Sequence, residues 1–595
     1  MIQRPTAFVL TLSLCLVALL SSSCSRRGSS DSGSVTGGAS SALTSLRVRP
    51  GQLSPPFDPQ VLSYTVSAGF LAGALAVLPG VGAPGTTVTV DGQVVEGGEA
   101  LIPLGDAGRV ITVVVTGPDG GQRTYRITVD RESADSFAQG AYVKASNPGA
   151  GDVFAHRIAI DGDLLAVGAP GEGSDASGIG GDEFSDGATS SGAVYVFRRA
   201  GDGWVQEAYV KASNTDSNDA FGFSVDLEGD RLFVGAPGED SASVGIDGDQ
   251  GNGAEDSGAV YVFRRAAGAW TQESYIKASN TGVSDAFGQS LAASRDTLVV
   301  GAPLEDSDAV GVHGDEGDDD ADNSGAVYVF RLLPAGWVQE AYIKASNTRT
   351  NDQFGASVDV DGPRLVVGAP LEDGGTVGIN GDDDDDSAWE GGAGFLFGRN
   401  DTTWEQLAYI KPSNTDPEDE FGTSVAISGD TLAISSPGES SAAIGVDGDQ
   451  SDNSADDSGA IYVFRESAAG LVQEAYLKAS NTGARDGFGM GVVLQGDALA
   501  AGAPGEASGA TGIEGNAADD GRQGSGAAYL FRRGAGGWAP ELYVKASNTG
   551  ASDGFGAALA LDGDSLVVGA AGEGSAGADQ QDDSRPSSGA IYAFR

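Results

Sequence analysis

Beyond residue 136 the chain alternates short apolar runs with acidic, glycine-rich stretches in a steady rhythm. One unit, opening at Phe221, reads FGFSVDL, RLFVGAP, a long acidic stretch, SGAVYVFRR and WTQESYIKAS. Runs of strand length, rich in β-branched and aromatic residues and punctuated by Gly and Asp, predict four antiparallel strands per unit. The second run is apolar at consecutive positions (Leu232, Phe233, Val234), as for a strand covered on both faces. The fourth alternates, with Tyr209 and Lys211 on one face and Ala208, Val210 and Ala212 on the other. It is the most polar of the four, which places it at an outer rim. Six of the seven turns between first and second runs, such as Glu228-Gly229, carry Gly in the second turn position; Arg295 is the exception. That chemistry sets a tight hairpin.

The unit recurs seven times, and its fourth strand contains every lysine of the protein: Lys144, Lys211, Lys277, Lys344, Lys411, Lys478 and Lys545. Four antiparallel strands repeated at this period predict a seven-bladed β-propeller over 136–595. On a rim strand, lysine discourages edge-to-edge pairing, so the lysines read as scaffold rather than as seven copies of a catalytic base. The tryptophans of the same strand (Trp204, Trp270, Trp337, Trp404, Trp538) read as packing. The first AYVKASN, at 141–147, is a fourth strand with no unit before it, whereas the last unit ends at Arg595 after three strands. Joining the two completes one blade and removes both free edges.

The N-terminal part differs. LRVRPG, LSYTVSA, ALAVLP, TTVTVDG, VITVVVTG and RTYRITVD predict about seven short strands and an all-β sandwich over 44–132. LRVRPGQLSPPFDPQVLSYTV and the closing TYRITVDR resemble the bacterial cadherin-like β-sandwich, which implies a spacer or adhesion module. Residues 1–23, with one Arg, an apolar run and then small residues, read as an export signal. The stretch ending at Cys24 resembles a bacterial lipoprotein signal, with Ser21 where Leu is usual, and implies lipidation of Cys24. Ordinary cleavage and secretion is the second reading. Residues 24–43 are Ser/Gly-rich and read as a tether.

Phe-Gly opening the first strand and Gly-Ala-Pro closing the second resemble the FG-GAP repeats of the integrin α-subunit propeller. The pairs stand at Phe221-Gly222 with Gly235-Ala236-Pro237, Phe287-Gly288 with Gly301-Ala302-Pro303, Phe354-Gly355 with Gly368-Ala369-Pro370, and Phe488-Gly489 with Gly502-Ala503-Pro504. Phe154-Ala155, Ser435-Ser436-Pro437 and Gly569-Ala570-Ala571 depart from the pattern. The DxDxDG calcium loop of integrin-type repeats is replaced by tight turns such as Asp161-Gly162 and Asp562-Gly563. The acid lies instead in the loop after the second strand.

Those loops reach LEDSDAVGVHGDEGDDDADNS at 304–324, and the formal net charge of the chain is −50. Such charge argues against nucleic acid and anionic lipid as partners, leaving a lipid anchor as the only membrane link. Dense Asp and Asn with Gly can surround a hard cation. Calcium is therefore the candidate cofactor, with Asp247, Asp249, Asp315, Asp318, Asp382, Asp384, Asp447, Asp449 and Asp452 as candidate ligands. The competing reading is an acidic, solvated, mobile loop. No catalytic residues are assigned: the two histidines, His156 and His313, occupy non-equivalent positions, and no nucleophile–base arrangement is evident. His156 reads as a local strand residue. The function expected is non-enzymatic binding or adhesion, with a protein or polysaccharide ligand, at an outer membrane or cell surface. A calcium-dependent, phosphatase-like hydrolase using the same carboxylates is the alternative.

Overall fold

The computed structural model describes residues 41–595 except 96, 97, 106, 107 and 202. The export signal, Cys24 and most of the tether lie outside the described residues. Among the described residues, no helix is long and apolar enough to cross a membrane.

The N-terminal unit is a sandwich of eight strands, one more than its sequence suggested. Leu43–Arg49, Ala74–Val81 and Ala100–Pro103 form one sheet, and Ser63–Ala68, Gln122–Arg131, Arg109–Thr116, Thr87–Val90 and Gln93–Val94 the other. The extra strand is the two-residue Gln93–Val94, too short to show as an apolar run. Alternating residues such as Ile111, Val113 and Val115 face Leu75, Val77 and Tyr125 in a single core.

From Gln139 onward, the described residues form seven separate four-stranded antiparallel sheets. The second is typical: an inner strand Ser224–Glu228, then Arg231–Ala236, Ala259–Ala266 and an outer strand Ala269–Ile276. The seventh takes Ala558–Asp562, Ser565–Ala570 and Ala590–Phe594 from the C-terminal end and its outer strand, Gln139–Val143, from the start. Ala138 and Arg595 extend that ladder with reciprocal backbone bonds of 3.0 Å.

Seven apolar cores lie between consecutive sheets, and the seventh is shared by the last and first sheets through Val567 and Ile591 against Phe154, Val167 and Tyr195. The Phe opening each inner strand is fully buried. Phe221 meets Tyr261 edge-on at 5.3 Å and Phe263 at 6.1 Å, contacts that add about 1 kcal/mol beyond burial itself. The motif glycines have a steric cause. A Cβ on Gly235 would stand 2.0 Å from the carbonyl oxygen of Gly288 in the next sheet. The Phe-Gly of one sheet is thus seated on the Gly-Ala-Pro of its predecessor, and the departures coincide where Ala155, at φ 75°, abuts Gly569.

At the other end of the inner strands, side chains of one sheet accept from turn N–H groups of the next. Gly229 N reaches Asp161 Oδ2 at 2.6 Å, Gly362 N reaches Ser294 Oγ at 3.2 Å, and Gly429 N reaches Asp361 Oδ2 at 2.8 Å. Gly496 N and Gly563 N bond Ser428 and Gln495 likewise, and Gly162 N returns to Asp562 Oδ2 at 2.7 Å. Arg295 N bonds Glu228 in the same way. Its φ of 58° matches its glycine counterparts, so the sequence exception is no structural exception.

The lysines correct the sequence reading. They stand one residue past the ends of the outer strands, and Lys211, Lys277, Lys344, Lys411, Lys478 and Lys545 are wholly buried. Each ammonium meets the glutamate two residues past the Gly-Ala-Pro segment: Lys277 Nζ lies 2.9 Å from Glu239, Lys344 Nζ 2.8 Å from Glu305 and Lys545 Nζ 2.6 Å from Glu506. A serine, Ser324 for Lys344, accepts a second bond at 2.7 Å. The same glutamate accepts from a tyrosine of its own outer strand (Tyr342 OH, 2.8 Å) and from the asparagine ending the previous one (Asn280 Nδ2, 2.9 Å). Burial pushes the Lys344 ammonium below its ordinary pKa, with Glu305 opposing the shift. The rim has another guard. The acidic loop folds back on the outer strand, with Lys277 N donating to Gly245 O at 2.8 Å and Ile246 bridging Ile276. A covered edge needs no exposed charge.

The sandwich touches the sixth and seventh sheets through the tip at Phe70. Its ring stands 5.7 Å from Phe137, which stacks on Phe594 at 5.9 Å, and Arg532 Nη2 donates to Phe70 O at 2.7 Å.

Candidate functional site

Strand register fixes which loops share an end. Ser224 pairs with Gly235 and Ala259 with Ala236, so the second strand finishes beside the start of the first. The acidic loops and the connections entering each inner strand therefore emerge together, and the opposite end carries only short hairpins.

The loops are folded rather than loose. Asp247 and Asp447 occupy a positive-φ position (55° and 52°), where each Oδ1 accepts from the outer-strand Tyr275 or Tyr476 N–H at 3.0 Å. Asn380 does the same for Tyr409, and His313 stands at the matching place with φ 59°. Two residues on, Asp249, Asp315, Asp382 and Asp449 each cap a local turn by accepting the N–H of the second residue ahead, at 3.0 to 3.3 Å. Asp318 caps Asp320 in the same manner and presses on Asp308, whose carboxyl is raised by that contact. Asp384 faces Arg349 at 3.5 Å, and Asp452 is exposed, accepting Ala442 N only through its backbone carbonyl. The nine aspartates are thus distributed over successive loops. Among the described residues, no three acidic, imidazole or thiol groups converge into a cluster able to hold a metal. Asp447 also lines a groove of about 450 Å³ with Val377, Ser413, Gln450 and Gln473.

Beneath the loops lies a set of interior carboxylates that the sequence reading did not single out. Asp152, Asp219, Asp285, Asp352, Asp419, Asp486 and Asp553 are buried, each two residues ahead of a motif Phe. Asp219 Oδ2 accepts Asp216 N at 2.8 Å. Burial, with repulsion from the lysine-bound glutamate adding to it, lifts Asp219 to about 7, Asp352 to about 8 and Asp553 to about 6. The signal for the glutamates was in the sequence: one stands at a fixed offset after each second strand, matching the lysines in number.

The inner strands of all seven sheets line one central cavity of about 170 Å³. Its wall is apolar or hydroxylic except at Arg157 and Gln289. The adjacent His156 lies 4.6 Å from the Phe223 ring, and burial, then the Arg157 charge, lowers it to about 4.

These features define an all-β repeat array that presents its loops at one end and carries a sandwich at its N-terminal side. A family model described as a cadherin-like beta sandwich domain matches residues 43–132. A model described as FG-GAP repeat matches 137–197, 204–263, 270–330, 337–397 and 404–464, together more than half of the chain. The chain belongs to the FG-GAP repeat family. The matched ranges begin at an outer strand and end at the third strand of the next sheet, the same phase in which the repeat array runs from Gln139–Val143 to Ala590–Phe594. The sixth sheet, and the seventh apart from its outer strand, fold alike outside those ranges. No curated protein matches the chain.

Proposed function

We propose that this chain is a non-enzymatic cell-surface binding or adhesion protein, built as a seven-bladed β-propeller closed by the strand Gln139–Val143. The observation that carries the reading is sidedness: long, folded, acidic loops at one end of a rigid array and only hairpins at the other. Loops on a rigid scaffold are where recognition concentrates, and similar loops repeated on successive sheets suit a broad partner better than one small substrate. The family membership supports an integrin-like binding role. In this reading Cys24 carries lipid and holds the propeller at the outer membrane, which mass spectrometry of the mature N-terminus tests: an unmodified terminus beyond Cys24 overturns the anchor.

The test of function is a screen of the mature protein on protein and glycan arrays, with calcium and with chelator. A variant with Asp315, Asp318, Asp382, Asp384, Asp447 and Asp449 changed to Asn runs beside it. A ligand bound by the wild type and lost by the variant supports the loop face. Calcium-dependent binding gives the carboxylates a metal role, and calcium-independent binding leaves them as an acidic recognition surface. Undiminished binding by the variant, or phosphoester turnover that it loses, overturns the reading.

A further inference from the structure

We infer that the central cavity is an oxyanion-binding site organised by Arg157, separate from whatever the acidic loops bind. The inner strands place one residue of each sheet at an equivalent level: Arg157, Ser224, Ser290, Ser357, Ser424, Gly491 and Ala558. Six are small. Three of the serines are occupied in joining sheets, Ser224 Oγ donating to Gly288 O at 2.6 Å, Ser290 Oγ to Gly355 O at 2.7 Å and Ser357 Oγ to Gly422 O at 2.7 Å. A scaffold role accounts for them, and it does not account for an arginine.

The Arg157 side chain is exposed into the cavity and walled by the surrounding strands. The one hydrogen bond of its guanidinium among the described residues is Nη1 to the His156 carbonyl at 3.1 Å. Among the described residues it forms no ion pair, although the protein carries −50 net charge and the wholly buried lysines are all paired. A guanidinium has five N–H donors in a planar fork, suited to carboxylate and phosphate oxygens. No carboxylate lines the cavity to compete. Gln289 and Thr423 supply further polar groups on the wall. Beside Arg157, the buried Nε2 of His156 has no hydrogen-bond partner. One level deeper the strands carry Asp226 and Asp359, each held by two backbone N–H groups at 2.7 to 2.8 Å.

The shared chemistry is a single oxyanion group, either a phosphate or a carboxylate such as a peptide C-terminus. The test titrates the mature protein and Arg157→Ser with inorganic phosphate, sulfate, acetate and malonate, by calorimetry and thermal unfolding at ionic strength fixed with chloride. Serine is the residue four other sheets carry at this level, so the variant should fold, and unchanged circular dichroism and anion-free Tm check it. Millimolar binding by the wild type, at least about tenfold weaker in Arg157→Ser, supports the site. A preference for phosphate and sulfate identifies a phosphoryl ligand, and a preference for acetate and malonate identifies a carboxylate. Equal binding by the variant, or none by the wild type to any of the four, overturns it.

Discussion

A lysine at 0% exposure is costly to place, because a desolvated ammonium must be paid back by its partners. Here Lys344 has Glu305 and Ser324, and Glu305 in turn holds Tyr342 and Asn280, so every member is satisfied. Lys344→Met leaves Glu305 as a buried, uncompensated carboxylate and should lose about 3–5 kcal/mol by denaturant unfolding. Adding Glu305→Gln should restore part of that loss; a single variant as stable as the wild type would contradict the network. The interior aspartates set a pH dependence. Asp219, Asp285, Asp419 and Asp486 hold their protons to about pH 7 and Asp352 to about 8, whereas the unfolded chain releases them near 3.8. Between those values the native state binds more protons, so stability falls as pH rises and levels off above the folded pKa. His156, lowered to about 4, opposes this as a single group between there and 6.5. Tm should therefore decline from about pH 5 to about pH 8, and less steeply in Asp352→Asn. Parallel slopes in the two proteins would refute the assignment.

At the scale of elements, periodicity and turn chemistry made the strands legible. The fully buried strand Thr297–Ala302 and the hairpin at Gly229 follow directly from apolar runs and from Gly in the turn. What lay hidden was the direction of side chains on the outer strand. Alternation put Tyr209 and Lys211 on one face and correctly paired them, but it could not say which face the neighbouring loop covers. That loop arrives from about thirty residues away in sequence and is held by single bridges such as Val312 to Ile343, too local to leave a periodic trace. A β-bulge was equally silent: register shifts between Val262 and Phe263 throw Glu273 out of the ladder to reach Arg231 at 2.6 Å. The loop aspartates were legible as chemistry and not as geometry. Asp249 and Asp449 satisfy backbone donors within their own turns, a use of Asp that composition shares with cation binding.

For the whole molecule, the seventh sheet decides whether the array is a ring. Its third strand, Ala590–Phe594, would be a bare edge without Gln139–Val143, and Glu573 would lose both Lys144 Nζ at 2.7 Å and Tyr142 OH at 3.0 Å. The contact to the first sheet depends on the same segment, since Asn147 Oδ1 accepts from Tyr195 at 2.6 Å there. Phe137, at the start of the segment, also bridges Phe594 to the sandwich at Phe70. One short strand therefore joins two sheets and the sandwich, so its loss should cost more than an outer strand's own burial. Deleting residues 136–146 should lower Tm sharply and drive association through the exposed edge, read by light scattering. The point variant Lys144→Met isolates the buried pair from the strand itself and should cost about 3–5 kcal/mol while leaving the oligomeric state of the wild type unchanged. A synthetic peptide of residues 136–147 added to the deletion variant should pair with Ala590–Phe594 and recover solubility. A deletion variant that keeps the oligomeric state and Tm of the wild type would show that the ends do not need each other, and the ring reading would fall with it.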